Sequence, residues 1–218
     1  MSRLGVLGVA ALFAAVACRS GSTPPPADAR LDPGKEPGEY SATVITTTQN
    51  GSKTSTSTTR TARSGDMRRY EWTENSARRV LIWRPDLAKS FLLDPDQKLY
   101  VELDDSAPTP GAGNTAEEID RQLGDTPSPE RVVTKQLEDA TIDGSRCSVF
   151  ETVVNFPSGD SELIRTFRIK DSDFTIRSEI EHGGSRSVVE RREMKTSVAP
   201  EEFNVPADFR KVANLRRN

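Results

Sequence analysis

The most apolar stretch of the chain outside its N-terminus alternates between short hydrophobic runs and tight turns. Three runs follow one another from Arg78 to Asp104: VLIW, KSFLL and KLYVEL. Arg84-Pro85-Asp86 and Asp94-Pro95-Asp96 separate them, and proline favours turns over strand interiors because it fixes φ and lacks an amide donor. The pattern therefore predicts a three-stranded antiparallel meander at the centre of a sheet.

Further strands are predicted on both sides of this meander. Glu39 to Arg63 reads as a Thr-rich hairpin around Asn50-Gly51, a pair typical of type I′ turns. We interpret it either as an exposed, edge-proximal hairpin or as a flap that faces a ligand. Met67 to Thr73 is the next strand, and a second meander from Val132 to Val198 turns first at Asp143-Gly144. The sum is about eleven antiparallel strands.

Only the segment between the two meanders predicts helix. Thr115-Ala116-Glu117-Glu118 fits a capping box, and the helix from Ala116 to Leu123 ends at Gly124. Pro127 to Glu130 either begins a second short helix or leads straight into a strand. The predicted fold class is α+β, mainly β: a curled antiparallel sheet, or incomplete barrel, with one or two short covering helices.

The N-terminus has the pattern of an export signal. A short basic start is followed by an apolar run from Leu4 to Val16, which is too short to span a bilayer comfortably. Ala15-Val16-Ala17-Cys18 resembles a bacterial lipobox, in which Cys18 is the site of lipid attachment. Ala15 and Ala17 also fit the A-x-A site of ordinary secretion. Arg19 after the cysteine resembles the signal for the outer membrane, so we expect a lipid-anchored envelope protein that faces the periplasm.

These signals divide the chain into four parts. We predict a signal peptide over residues 1–17 and a lipidated cysteine with a Pro/Gly/Ser-rich tether over residues 18–38. A single β-rich domain follows over residues 39–212, and residues 213–218 form a polar tail.

Composition argues against several classes of function. The net charge is -3 and the arginine pairs are dispersed, whereas nucleic-acid binders concentrate positive charge, so no nucleic-acid partner is expected. The chain has one histidine and two cysteines, too few ligands for a zinc site. The histidine, His182, lies in a Glu-His-Gly-Gly turn and is interpreted as a hairpin residue, not as the base of a Ser-His-Asp triad. We therefore expect no enzyme, no cofactor, and neither catalytic nor metal-ligating residues. Cys147 is interpreted as a small buried hydrophobe.

Three local motifs resemble the LolA/LolB-like superfamily of outer-membrane lipoprotein-sorting proteins. Lys89 to Tyr100, KSFLLDPDQKLY, resembles the strand, turn and K-x-Y meander of that family. Ile142 to Cys147 resembles its central hairpin, and Phe203 to Pro206 resembles its C-terminal tuck. The resemblance implies an incompletely closed antiparallel barrel that holds an apolar cavity, with short helices as a lid.

The resemblance implies a membrane-anchored lipoprotein whose half-barrel cavity binds a lipid, an acyl chain or another apolar ligand. Another lipoprotein is also a candidate ligand of this cavity. The alternative is a protein-interaction or envelope-sensing lipoprotein without a small-molecule ligand. Its docking surface would be the Thr-rich hairpin or a sheet edge, and its protein partner is unknown. The candidate cavity-lining residues, which as an alternative simply fill the core, are Trp83, Phe91, Leu93, Tyr100, Phe150 and Phe167.

Overall fold

The computed structural model describes residues 36–104 and 130–215, and thirteen β-strands of these residues form one unclosed sheet. The strands are β1 Glu39–Asn50, β2 Lys53–Ser64, β3 Met67–Glu74, β4 Ala77–Arg84, β5 Lys89–Asp94, β6 Leu99–Asp104, β7 Arg131–Gln136, β8 Ala140–Ile142, β9 Ser145–Asn155, β10 Ser161–Ile169, β11 Thr175–His182, β12 Ser185–Lys195 and β13 Arg210–Lys211. Their order is β13-β6-β5-β4-β3-β2-β1-β12-β11-β10-β9-β7, with β8 also paired to β9. Among these thirteen described strands, β13 and β6 form the one parallel pair. The mainly β, incompletely closed antiparallel sheet predicted from sequence is confirmed.

The sheet has two strands more than the predicted eleven. The segment that the sequence predicts as one strand, Val132 to Ile142, is divided into β7 and β8. Between them, Leu137 to Asp139 lie opposite only Ser148 and Val149 of β9, so one extra residue forms a bulge and shifts the register. The second additional strand is the two-residue β13, which adds to β6 at the edge of the sheet.

Tight turns set the hairpin registers. Asp143 and Gly144 have φ values of 46° and 79°, which confirms the predicted type I′ turn, and Gly183-Gly184 turns in the same way. The turn near Asn50 differs from the prediction. Its two central residues are Gly51 and Ser52, and only Gly51 has positive φ, at 58°, as in a type II′ turn.

The Thr-rich hairpin is confirmed, but its interpretation as edge-proximal is wrong. β1 pairs with β2 over its whole length and with β12 as far as Asn50, so it lies in the middle of the sheet. β3 covers only the half of β2 that begins at Thr59. The other half of β2, residues 53–58, is exposed.

The C-terminal segment folds back onto the first meander through a 3₁₀ helix, Pro200–Phe203. Phe203 is fully buried, as the predicted C-terminal tuck requires. It packs in a cluster with Ala62, Val80, Ile82, Leu93 and Val198, which Val205 and Phe209 extend. Burial of a phenylalanine contributes about 1.5–3 kcal/mol, so this segment fixes one side of β2–β5.

A second cluster joins the other half of the sheet around Phe174. It consists of Tyr40, Ala42, Cys147, Phe174 and Ile176. Cys147 is fully buried, as predicted, and burial raises the pKa of its thiol. Because the thiolate is the reactive form, this cysteine is held in its inert state.

The predicted helix from Ala116 to Leu123 lies outside the described part of the chain, and of the alternative second helix, Pro127 to Glu130, only Glu130 is described, directly before β7. Within the described ranges, no helix is long and apolar enough to cross a membrane.

Candidate ligand-binding face

The strand registers assign every strand residue to one of two faces. Residues that pair directly across neighbouring strands lie on the same face, and successive residues of one strand alternate between faces. Following the pairs from β7 to β6 therefore sorts the side chains. One face, which we call the charged face, carries Glu151, Glu179 and Arg60. The opposite one, which we call the neutral face, carries Phe150 and Ser178.

Ion pairs cross the charged face from strand to strand. Glu151 accepts hydrogen bonds from Lys135 at 2.7 Å and from Arg165 at 2.8 Å, and these bonds hold the pKa of its carboxyl below the ordinary value. Glu179 contacts Arg177 at 2.6 Å and Arg186 at 2.9 Å. This half of the charged face is therefore a network of alternating charge, in which the two carboxylates are buried beneath the basic side chains that contact them.

On the neutral face of the same half, two rows of residues that pair across the strands contain no charged side chain. One row runs from β1 to β7 through Thr46, Val189, Ser178, Thr166, Phe150 and Gln136. The next runs through Thr48, Ser187, Ile180, Ile164, Thr152 and Thr134. Hydroxyl groups within the second row bond one another, at 2.9 Å between Thr134 and Thr152 and at 3.3 Å between Thr48 and Ser187. Their mutual bonding lowers the cost of placing an apolar molecule over them.

An apolar row continues the neutral face across the other half of the sheet. It runs from β1 to β6 through Ala42, Thr61, Tyr70, Leu81, Leu92 and Val101. Both tryptophans of the chain, Trp72 and Trp83, flank this row and are partly exposed. The C-terminal segment covers the opposite face here. On the neutral face Ala42, Thr61, Tyr70 and Leu81 are buried, and the apolar side chains that stay partly exposed are Leu92, Val101 and the two tryptophans.

Two paired clusters of charge flank this apolar row, and Arg191 of β12, which pairs with Val44 and donates to the Thr175 carbonyl at 2.7 Å, lies on the same face. Arg79 donates to Asp94 at 2.7 Å. At the other flank, Arg63 and Arg68 both contact Glu36, at 2.6 Å and 2.8 Å. Glu36 falls in the segment that the sequence predicts as tether, yet its carboxylate is fixed onto β2 and β3.

The six predicted lining residues are divided between the two faces. Trp83 and Phe150 lie on the neutral face, and the pairings of β5 place Phe91 and Leu93 on the charged face. Tyr100 pairs with Leu93, and these three side chains join the cluster beneath the C-terminal segment. Phe167 pairs with Arg177, whose guanidinium carbon lies 5.5 Å from the ring centroid.

The sequence did not predict that five apolar residues share the neutral face: Tyr70, Trp72, Leu81, Leu92 and Val101. The runs VLIW and FLL are apolar at every position, so they carry no alternation that separates the faces. The polar alternation of Arg69 and Glu71 with Tyr70 and Trp72 in β3 does carry that signal. The predicted lipid attachment site, Cys18, lies outside the described residues.

Two shallow depressions of about 440 Å³ lie at turns, away from the predicted lining residues. One is lined by Ser64, Asp66, Met67, Pro85 and Asp86. The other surrounds His182, whose ring lies edge-on to Phe156 at a centroid distance of 6.4 Å. Among the described residues, no group of three or more His, Cys, Asp and Glu side chains is placed to hold a metal ion.

Solved structures with a similar fold come from bacterial proteins. The MucA/MucB complex of Pseudomonas aeruginosa is similar over 80% of this chain and 58% of that chain, at 11% identity and a TM-score of 0.48. The lipoprotein LppX of Mycobacterium tuberculosis matches 73% of this chain and 88% of its own, at 11% identity and a TM-score of 0.41. A LolA superfamily protein of Nitrosomonas europaea matches 81% and 92%, at 11% identity and a TM-score of 0.34.

A LolA superfamily protein is thus one of the solved structures to which this chain is similar. No protein-family model matches the chain, and no curated protein matches it.

Proposed function

We propose that the protein binds an apolar chain, such as an acyl chain of a lipid, against the neutral face of its sheet. The observation that carries this proposal is the contrast between the two faces. Ion pairs cross one face of β7 and β9–β12, while the other face presents two uncharged rows over those strands and one apolar row over β1–β6. An unpaired charge under an apolar ligand is costly, so rows without charges, bordered only by paired ones, suit such a ligand.

Chain length should govern affinity in this arrangement. Each buried methylene contributes about 0.8 kcal/mol, so about fourteen fully buried methylenes contribute about 11 kcal/mol. Association costs at least about 4 kcal/mol, which leaves about 7 kcal/mol, or a dissociation constant of about 10 µM. Chains half that length should therefore bind too weakly to detect at micromolar concentrations.

Intrinsic fluorescence tests the proposal because both tryptophans lie on the neutral face. A fatty acid brominated along its chain should quench Trp72 and Trp83 on binding, and the variants Trp72→Phe and Trp83→Phe should each retain part of the quenching. The same acid without bromine is the matched control. Binding measured by dialysis without any quenching would show that the ligand lies elsewhere, and absence of binding for every chain length would overturn the proposal.

We also propose that the binding domain is anchored in the bacterial envelope. The supporting pattern is the lipobox-like Ala15-Val16-Ala17-Cys18 after a short apolar run. Residues 1–17 would be removed, Cys18 would carry the acyl chains, and residues 18–38 would tether the domain of residues 39–212. Two or more acyl chains are sufficient for stable anchoring, whereas one gives only reversible binding.

A second candidate function is protein interaction at the edge of the sheet formed by β7. All six residues of β7 are exposed, with Val132 at 53% and Val133 at 41%. Leu137 donates its amide to Val149 at 2.8 Å, and hydrogen-bonded pairs alternate along an antiparallel ladder. The amides of Val132, Thr134 and Gln136 therefore point away from β9. An extended peptide of a partner could pair with this open edge of β7 and add a strand to the sheet.

Photo-crosslinking in the native envelope tests this second function. A crosslinker at Val132 should capture one defined protein, while a crosslinker at Leu87, which is 49% exposed, serves as the control. Thr134→Pro removes an outward amide and leaves the backbone bonds to β9 in place, so it should abolish the capture. Thr134→Val, which loses only the hydroxyl bond to Thr152, is its control and should keep the capture. Identical background patterns from both positions would contradict a docking edge.

A further inference from the structure

One corner of the neutral face holds two cations and one anion. Arg63 Nη1 and Arg68 Nη2 both donate to the same oxygen of Glu36, Oε2, at 2.6 Å and 2.8 Å. The Tyr40 hydroxyl donates to the other oxygen, Oε1, at 2.7 Å. A single carboxylate therefore lies across two guanidinium groups, and these three side chains carry a net charge of +1.

Arg68 retains a donor that Glu36 does not use. This residue is only 8% exposed, and its Nη1 is buried without a hydrogen-bond partner among the described residues. A buried polar atom without a partner is costly and uncommon, and among the acceptors that a guanidinium N–H can bind, an anionic oxygen forms the strongest bond. The corner therefore has capacity for an anion with more oxygens, or a better placed pair of oxygens, than Glu36 supplies.

The two arginines lie directly beside the apolar row. Arg68 pairs with Trp83 on one side and with Arg63 on the other, and Arg63 pairs with Tyr40. The next row of the same face is the apolar one that contains Tyr70 and Leu81. A molecule with an anionic head on the arginines could therefore lay its chain over Trp83 and the partly exposed end of that row, Leu92 and Val101, without crossing another charged cluster.

We propose that Arg63 and Arg68 bind the anionic head group of an amphiphilic ligand, a carboxylate or a phosphate, and that Glu36 occupies this site until the ligand displaces it. This inference rests on the proposed function, because it assigns the head group of the same chain-binding ligand. Glu36 then acts as an internal competitor at the head-group site.

The test compares three ligands with one alkyl chain: the fatty acid, the alkyl phosphate and the uncharged fatty alcohol. The full-length protein should bind the acid or the phosphate about tenfold more tightly than the alcohol. Arg68→Gln should remove that advantage and leave the affinity for the alcohol unchanged. Arg60→Gln removes an equal charge from the opposite face of β2, where Arg60 contacts Glu202, and should change none of the three.

Glu36→Gln provides a second test that keeps both arginines. Loss of the competing carboxylate should tighten binding of the charged ligands several-fold and leave the alcohol unaffected. If Arg68→Gln fails to fold, this variant decides alone, and unchanged affinity for the charged ligands would overturn the head-group site.

The outcomes separate the two proposals. Equal binding of acid, phosphate and alcohol overturns the head-group site and leaves the chain-binding function intact. Absence of binding for all three ligands overturns the chain-binding function and the head-group site with it. Preference for the acid over the phosphate identifies a free fatty acid as the source of the head group, and the reverse preference identifies a phospholipid.

Discussion

The Arg79 guanidinium donates to the Asp94 carboxylate at 2.7 Å, and Asp94 is only 2% exposed to solvent. The other oxygen of Asp94 accepts the backbone amides of Asp96 at 3.1 Å and Gln97 at 3.0 Å. One carboxylate thus closes the turn between β5 and β6 and compensates a buried guanidinium on β4.

Asp94→Ala should therefore destabilise the fold strongly. Removing one partner of a buried ion pair leaves an uncompensated charge, and the expected loss is about 3 kcal/mol in the free energy of unfolding. Asp96→Ala is the matched control, since Asp96 pairs with Arg78 at the surface and should cost less than about 1 kcal/mol. Urea denaturation measures both, and equal losses for the two variants would contradict the role assigned to Asp94.

Phe203→Ala should detach the C-terminal segment. Phe203 is fully buried against Val80 and Ile82, so its truncation should cost about 3–5 kcal/mol. Limited proteolysis should then cleave the segment after Val198 faster than in the wild type. Leu87→Ala, at a residue that is 49% exposed, should change stability by less than about 0.5 kcal/mol. Wild-type protease resistance of the Phe203 variant would refute the packing role.

The ion pairs of Glu102 predict a pH dependence. Hydrogen bonds from Lys211 and Lys89, each at 2.6 Å, lower the pKa of Glu102 from 4.5 to about 2. Because the folded pKa is depressed, the stabilisation is present above the ordinary pKa of 4.5 and is lost as pH falls toward about 2. Lys211 belongs to β13, so the edge strand should loosen in that range.

Thermal melts of the wild type and Glu102→Gln check this dependence. The wild type should melt at a higher temperature near neutral pH, and the two proteins should converge as pH falls from 4.5 to about 2. Added salt should shrink the difference near neutral pH. A difference that stays constant across this range would show that the carboxylate charge contributes nothing.

Cys18→Ser should release the protein from membranes. If Cys18 carries the acyl chains, the serine variant lacks its anchor and should move from the membrane to the soluble fraction. Labelling with radioactive palmitate should be lost at the same time. Cys147→Ser is the control, because Cys147 is buried in the domain and should leave membrane partition unchanged. Membrane retention of the serine variant would refute the lipobox assignment.

Much of the fold was predictable because strands and turns report on local chemistry. Asp143-Gly144 turns where it was predicted, since both residues tolerate the positive φ that a type I′ turn requires. The division of Val132 to Ile142 was not predictable, because the bulge at Leu137 to Asp139 arises from pairing with β9. The central position of β1 was not predictable either. β1 pairs with β12, and this pairing brings together residues that are distant in sequence, such as Val44 and Arg191.

The candidate site was predictable only in part. Trp83 and Phe150 are predicted lining residues and do lie on the neutral face, whereas Phe91 and Leu93 lie on the other face. No polar position interrupts the apolar run of either β4 or β5, so composition could not assign the faces. The ion pair between Arg68 and Glu36 could not be predicted from sequence, because it joins a residue of the predicted tether to β3, 32 positions further along the chain.

The amino-acid sequence by itself determined the strands, the hairpin turns and the export signal proposed for the N-terminus, because each depends on the dihedral preferences or hydrophobicity of a few consecutive residues. Only the tertiary structure decided which side chains share a face. A side chain such as Trp83 reaches one face or the other according to the pairing of β4 with β3, and a register shift of one residue would exchange the faces. The contrast between the charged and neutral faces is therefore a property of the assembled sheet.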